Sequence, residues 1–149
     1  MRFSTRTRSG LRFLLRLAHE RPNLVTLSQV AAAENISLGY LEQIVHTLKP
    51  LEIFRSVRGS GGGYSLCKGP DEIVLEDVFM CLEGTISPVA CLEDETQCDR
   101  STSCSMRLFW RDFEVHTRAF LRTKTLQTLL ESTESSPGGT HVGLHPGCT

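Results

Sequence analysis

Apolar residues recur at three- and four-residue spacing through residues 5–19, with Leu11, Leu14, Leu15 and Ala18 on one face. That spacing predicts an amphipathic helix, ended near Arg21-Pro22 because the proline ring cannot continue it. The stretch TLSQVAAAEN predicts a second, short helix. Thr26 is placed to cap it, and Gln29 follows at the spacing of a capping box. Ala31, Ala32 and Ala33 keep this helix slim, so a neighbour can approach closely. A third helix is predicted in NISLGYLEQIVHTLKP, with Ser37 as N-cap and Pro50 fixing the end. Leu41, Ile44, Val45 and Leu48 form its buried face; Tyr40, Gln43, His46 and Thr47 lie mostly on the other.

The period then changes. Residues 53–58 and 64–67 read as strands around a glycine tip, GSGGG, at residues 59–63. The stretch VLEDVFMCLEG predicts a fourth helix, apolar at Val74, Val78, Phe79 and Leu82 and closed by Gly84. SMRLFWRDFEVHTRAFL predicts a long helix with a broad apolar stripe: Met106, Phe109, Trp110, Phe113, Phe120 and Leu121. Periodicity alone leaves open whether that stripe faces its own chain or a second copy. TLQTLLE predicts one more short helix, capped by Thr125. From Ser132 onward there is little to bury, which predicts a disordered tail.

Two short helices joined by a few residues make a helix-turn-helix pattern. A glycine-tipped hairpin directly after them reads as a wing, with Arg55, Arg58 and Lys68 nearby. Together they point to DNA contact. The hairpin is not a P-loop, because no Gly-Lys-Ser/Thr follows at the required spacing. The expected organisation is a winged helix-turn-helix domain (1–84), a cysteine loop (85–104), a dimerisation helix region (105–131) and the tail (132–149). The fold class is mostly α with a small β-wing.

Charge sharpens this reading. The net charge of the 149 residues is −1, which by itself argues against nucleic acid. Its distribution does not: residues 1–68 carry +6 and residues 69–149 carry −7. A basic half and an acidic half suggest two tasks on one chain. No apolar run approaches a membrane span, and the N-terminus lacks the apolar core of a secretory signal. The Arg-rich opening, with no acid before Glu20, also fits a transit peptide. The helix reading is preferred because the following segments need a partner to pack on. The expectation is a cytoplasmic protein with no membrane partner.

The loop CLEDETQCDRSTSC carries three cysteines in fourteen residues, with a single Leu and almost nothing to form a core. In a reducing compartment, clustered cysteines bind metal or do redox chemistry more often than they form disulfides. Cys91, Cys98 and Cys104 are spaced too widely for a tight zinc knuckle. Iron in a cluster prefers thiolate, and binding free energy could order a loop that lacks a core. Zinc or another metal, and thiol sensing, stay open as alternatives. Cys67 and Cys81 read as small buried hydrophobes, and Cys148 lies in the tail. No nucleophile–base or carboxylate pair suggests an enzyme; His19, His46 and His116 read as surface or packing residues. A pure protein-interaction module is the third class.

The opening MRFSTRTRSGLRFLLRLA, the central ISLGYLEQIVHTLKPLEIFRSVRGSGGGYSL and the closing CSMRLFWRDF and TLQTLLES resemble the IscR/NsrR/CymR family of bacterial winged-helix regulators. The resemblance covers roughly residues 1–131. It implies a homodimer on double-stranded DNA, with the third helix in a major groove and the wing beside a minor groove. On this reading the DNA-binding residues are Ser28, Ser37, Tyr40, Glu42, Gln43, Arg58, Gly59, Ser60 and Gly61. The resemblance also implies an iron–sulphur cluster, two-iron or four-iron, held by Cys91, Cys98 and Cys104. CymR-like members lack these cysteines, so the chain falls with the cluster-binding branch.

Two departures bear on the fourth cluster position. The gap from Cys91 to Cys98 is one residue longer than in IscR-like chains. Arg107 stands where those chains have histidine, and Arg8 where NsrR-like chains have an acid. A guanidinium has no free lone pair and is a poor ligand. The expectation is therefore a loop carboxylate, from Glu93, Asp94, Glu95 or Asp99, or an exchangeable small molecule, with His116 as the rival.

Overall fold

A computed structural model of the chain describes residues 3–134. Helix α1 (Thr5–His19) starts at Ser4, whose hydroxyl accepts from the Thr7 amide at 3.3 Å. Its fully buried residues are Phe13, Leu14 and Leu17, while Leu11, Leu15 and Ala18 sit half-buried at the margin. The expected face is therefore rotated so that Phe13 points into the centre. Helix α2 (Leu27–Glu34) carries the predicted capping box: the Gln29 amide donates to the Thr26 hydroxyl, and Gln29 Oε1 accepts from the Thr26 amide at 2.8 Å. It stops at Asn35, in the left-handed region at φ 52°, which asparagine tolerates.

Helix α3 (Leu38–Leu48) is capped by Ser37 and buries Leu41, Ile44, Val45 and Leu48, as the spacing predicts. Pro50 does not mark the end of helical structure. The α-helix gives way at Leu48 to a 3-10 turn, Lys49–Leu51, which accommodates the proline near its start.

Strands β1 (Phe54–Val57) and β2 (Gly63–Leu66) pair antiparallel, with Phe54 opposite Leu66 and Val57 opposite Gly63. The hairpin is not free-standing. Val25, just before α2, bridges Tyr64 through two backbone hydrogen bonds of 3.0 and 2.8 Å. A Cβ on Gly63 would lie 2.8 Å from the Val25 carbonyl oxygen, so only glycine permits this approach. The Phe13 ring meets Phe54 and Tyr64 edge-on, at 5.4 and 6.0 Å between centroids. The wing base is thus fixed to α1 and to the turn between α1 and α2.

Helix α4 (Leu75–Glu83) packs on α1 and α3 and ends at Gly84, with φ +80°. A Cβ on Gly10 would reach 2.6 Å from a Leu82 methyl, which explains the close approach of α1 and α4. Helix α5 (Arg107–Arg122) follows the cysteine loop, and α6 (Leu126–Glu134) returns to α1. Leu126 is fully buried in the same core as Phe13 and Leu41. Leu75, Phe79, Ile86 and Leu121 form a second small cluster. Helix α6 runs to Glu134, past Ser132, the expected start of the disordered tail. The rest of that expected tail, with Cys148, lies outside the described residues. No helix among the described residues is long and apolar enough to cross a membrane.

Candidate nucleic-acid interface and cysteine loop

Burial of four apolar residues on one side of α3 fixes what the other side offers. Glu42, Gln43 and His46 are exposed, and so are Ser37 and Ser28 at the helix starts. Two of the expected contact residues are partly engaged. Tyr40 is half-buried against the core. The Ser37 hydroxyl accepts from the Tyr40 amide at 3.3 Å, so its oxygen serves as a cap. Thr47 donates to the Gln43 carbonyl, leaving the Gln43 side chain outward.

At the wing, Arg58, Gly59, Ser60 and Gly61 are all exposed. Gly59 and Gly61 have φ of 100° and 78°, a region closed to most side chains. A Cβ on Gly62 would fall 2.3 Å from the Val57 carbonyl oxygen. The tip is a tight turn that presents bare backbone beside Arg58. Arg21, which the spacing argument passed over, donates to the Lys68 carbonyl at 3.3 Å and ties the α1–α2 turn to the end of the wing. Its position beside Pro22 gave no signal of that contact.

The cysteine loop connects α4 to α5 through two 3-10 turns, Ala90–Leu92 and Glu95–Gln97. Cys91 and Cys104 are half-buried, Cys98 is exposed, and all three are free thiols. Residues 93–100 are exposed throughout, and Ser101 is the one buried residue between Cys91 and Cys104. The structure does not gather the three thiols: no group of three or more His, Cys, Asp or Glu among the described residues is placed to hold a metal ion. The donor chemistry nevertheless fits a cluster, with three unpaired thiols on a loop that has no core of its own.

Arg107, on the first turn of α5, occupies this loop. Its Nη2 lies 2.5 Å from Glu95 Oε1 and its Nη1 donates to the Ser101 carbonyl at 3.2 Å. Its Nε is buried and meets no acceptor among the described residues. The acids considered for the fourth position are variously engaged. Asp94 accepts from Thr96 and Gln97, which hold its carboxyl below the ordinary range, the Gln97 bond first. Glu93 accepts from Thr85, Glu95 pairs with Arg107, and Asp99 is exposed. His116 is exposed and turns Nδ1 to the Asp112 carbonyl at 2.7 Å.

The remaining cysteines split. Cys81 is half-buried; its thiol donates to the Thr47 carbonyl at 3.0 Å, and burial pushes its pKa up. Cys67 is exposed, against the expectation of a buried hydrophobe, because it lies just past β2 at the margin of the wing.

The apolar stripe of α5 is largely uncovered. Met106, Leu108, Phe109, Phe113, Val115 and Phe120 are all exposed, with Phe109 at 55% and Phe120 at 60%, and Leu121 is the buried residue of this helix. Monomers rarely leave so continuous an apolar face in water. Beside the packing of Leu121 on Leu75 and Phe79, charge holds α5 to α4. Glu76, only 7% exposed, accepts from Arg118 Nε at 2.7 Å and from Arg122 Nε. Sequence patterning missed this, since Glu76 reads as a solvent residue in the first turn of α4. The i, i+4 spacing of Arg118 and Arg122 was the available signal.

A helix-turn-helix followed by a glycine-tipped hairpin, joined through α4 to a long helix with an uncovered apolar face, defines a winged-helix regulator. The chain belongs to the Rrf2 family of transcriptional regulators: the family described as "Rrf2: Iron-dependent Transcriptional regulator" matches residues 3–132. It is 36% identical over 135 residues to the HTH-type transcriptional regulator CymR of Bacillus subtilis, covering 90% of this chain and 93% of that one. It is 31% identical over 135 residues to the regulator IscR of Sodalis glossinidius, covering 90% and 81%. The solved structure of CymR, titled the global cysteine regulator of B. subtilis, superimposes with a TM-score of 0.73 at 34% identity over 89% of this chain and 98% of that chain.

Proposed function

We propose that the chain is a cytoplasmic, homodimeric transcription regulator that binds an operator with two half-sites and carries an iron–sulphur cluster on Cys91, Cys98 and Cys104. The observation that carries the proposal is the loop itself. Three free thiols lie on a segment whose residues 93–100 bury nothing, fastened at its ends to the helices that adjoin the DNA-reading core and the uncovered apolar face. Drawing the thiols together gives that segment the order its side chains cannot supply.

The parts divide the work as follows. Glu42, Gln43 and, at its edge, Tyr40 read base edges from α3. Arg58 and the bare backbone of Gly59, Ser60 and Gly61 meet the phosphate backbone or minor groove, with Ser28 and Ser37 at the helix starts beside it. The apolar face of α5 meets its counterpart in a second copy. When bound, the cluster supplies a state of the loop that responds to redox, nitric oxide or iron and cluster status. Cys91, Cys98 and Cys104 transmit that state through the loop ends to α4 and α5, and so to the spacing of the two reading helices. Coupling follows if the two loop states favour different spacings.

Similarity to CymR favours a second reading, a thiol- or zinc-based DNA-binding regulator without a cluster. Salt-dependent binding to duplex DNA tests what both readings share. Binding that weakens steeply with salt and prefers one duplex supports a regulator, and salt-independent binding or none contradicts it. Replacing Cys91, Cys98 and Cys104 singly by Ser separates the two. The cluster reading requires each change to remove bound iron and sulphide.

A further inference from the structure

We infer that α5 is a lever: its C-terminal end is a fulcrum fixed to α4, and its N-terminal arm takes its position from the cysteine loop. For its effect on DNA this rests on the proposed meeting of the apolar α5 face with a second copy. It needs no group bound to the loop.

The two ends of α5 are held by different chemistry. At the C-terminal end Leu121, the buried residue of this helix, packs in the cluster with Leu75, Phe79 and Ile86. Backbone bonds lock the turn that follows: the Leu75 amide donates to the Lys124 carbonyl and the Leu126 amide to the Ile73 carbonyl, each at 2.9 Å. Arg118 and Arg122 grip Glu76 at the same end. Toward the N-terminus the support changes. From Arg107 to Val115, only Arg107, Trp110 and Glu114 are even half-buried. The side-chain ties of this arm are polar and run to the loop. The Ser87 hydroxyl donates to Glu114 at 2.9 Å, and Arg107 meets Glu95 and the Ser101 carbonyl.

Length gives the arm its gain. From Arg107 to Arg118 it measures about 16 Å, at about 1.5 Å per residue. A tilt of about 10° at the fulcrum carries its tip about 3 Å. Phe109 and Phe113, of the uncovered face, ride on this arm. A change in the shape of the loop therefore displaces the surface that meets a second copy and leaves the core of each chain in place. The spacing of the two α3 helices follows.

The test uses the full chain and hydrogen exchange resolved along α5, with sedimentation and operator affinity read on the same samples. The double variant Ser87→Ala/Glu95→Gln cuts ties between loop and arm, and Glu76→Gln loosens the fulcrum. The double variant is expected to speed exchange at the amides of 111–116 by about tenfold or more and to leave those of 119–124 within about twofold of wild type. Its operator affinity is expected to change by about threefold or more, since each loosened arm shifts the pair. Glu76→Gln is expected to speed exchange in both halves. Trp110, the one tryptophan of the chain, lies on the arm. Its quenching by acrylamide is expected to rise in the double variant, a second readout should exchange in the dimer be slow. Exchange and quenching equal to wild type overturn the inference, because the loop would not hold the arm. Acceleration spread evenly over 111–124 also overturns it, because α5 would open as one unit without a fulcrum. So does a loosened arm with operator affinity unchanged. A wild type that sediments as a monomer or binds no duplex contradicts the proposed function itself, and is distinguishable because the exchange pattern is read without DNA.

Discussion

Glu76 of α4 and Arg118 of α5 meet at 2.7 Å, Oε1 to Nε, and Arg122 closes on the other oxygen of the same carboxylate. This pair of bonds helps to fasten the long, mostly uncovered α5 to α4, which packs on α1 and α3. Arg122 first, and Arg118 with it, hold the Glu76 carboxyl below the ordinary carboxylate range against the opposing effect of burial. A carboxyl with a depressed folded pKa stabilises the fold above its unfolded pKa, and that contribution is lost as pH falls through the folded pKa. Glu76→Gln should lower stability at neutral pH by about 1–2 kcal/mol, discounted for the exposure of both arginines. The gap to wild type should close as the pH drops below the ordinary carboxylate range. Denaturant melts at neutral and acid pH check this, and a gap independent of pH contradicts it.

The uncovered apolar face makes a separate prediction. Phe109 is more than half exposed and belongs to neither buried cluster of the described residues. Phe109→Glu should leave the thermal unfolding midpoint of the core nearly unchanged and shift the protein from dimer to monomer. Sedimentation at micromolar concentration reads the outcome. A variant that sediments as wild type removes this face from the interface.

Gln43 projects from the exposed side of α3 and can pair with an adenine edge. Gln43→Ala should cost about 1–3 kcal/mol at one base pair of the operator. Competition with specific and scrambled duplexes measures it. An unchanged ratio between them means that another residue reads the groove.

Arg58 leads the glycine turn and is fully available to a phosphate. Arg58→Ala should weaken binding to all duplexes alike and reduce the salt slope by about one. Titrations at several salt concentrations show whether the slope moves; one that does not excludes a phosphate contact.

Local chemistry made the reading half legible from sequence. Capping by Thr26 and Ser37, the period-four run from Leu41 to Leu48 and the glycine tip each declare themselves within a few residues. The departures come from contacts distant in sequence. Phe13 of α1 packs in the core against Phe54 and Tyr64, about forty and fifty residues on, which rotates the face that periodicity assigned. Glu76 is buried because Arg118 and Arg122 cover it. Cys67 lies outside because β2 ends one residue earlier. The cysteine loop was legible in its three spaced thiols and not in its geometry, in which two 3-10 turns leave residues 93–100 exposed. Arg107 was legible only as a poor ligand; its ties to Glu95 and Ser101 depend on the shape of the folded loop.

The central claim is that the loop holds a cluster that governs DNA binding. The direct measurement is purification without oxygen, with iron, sulphide and the visible spectrum recorded on the same sample whose operator affinity is determined before and after iron is removed. The account predicts iron and sulphide in equal amounts, a charge-transfer spectrum that disappears on removal, and a change in operator affinity with it. A dimer that binds the operator equally well without iron, and answers instead to oxidation of its thiols, would contradict it.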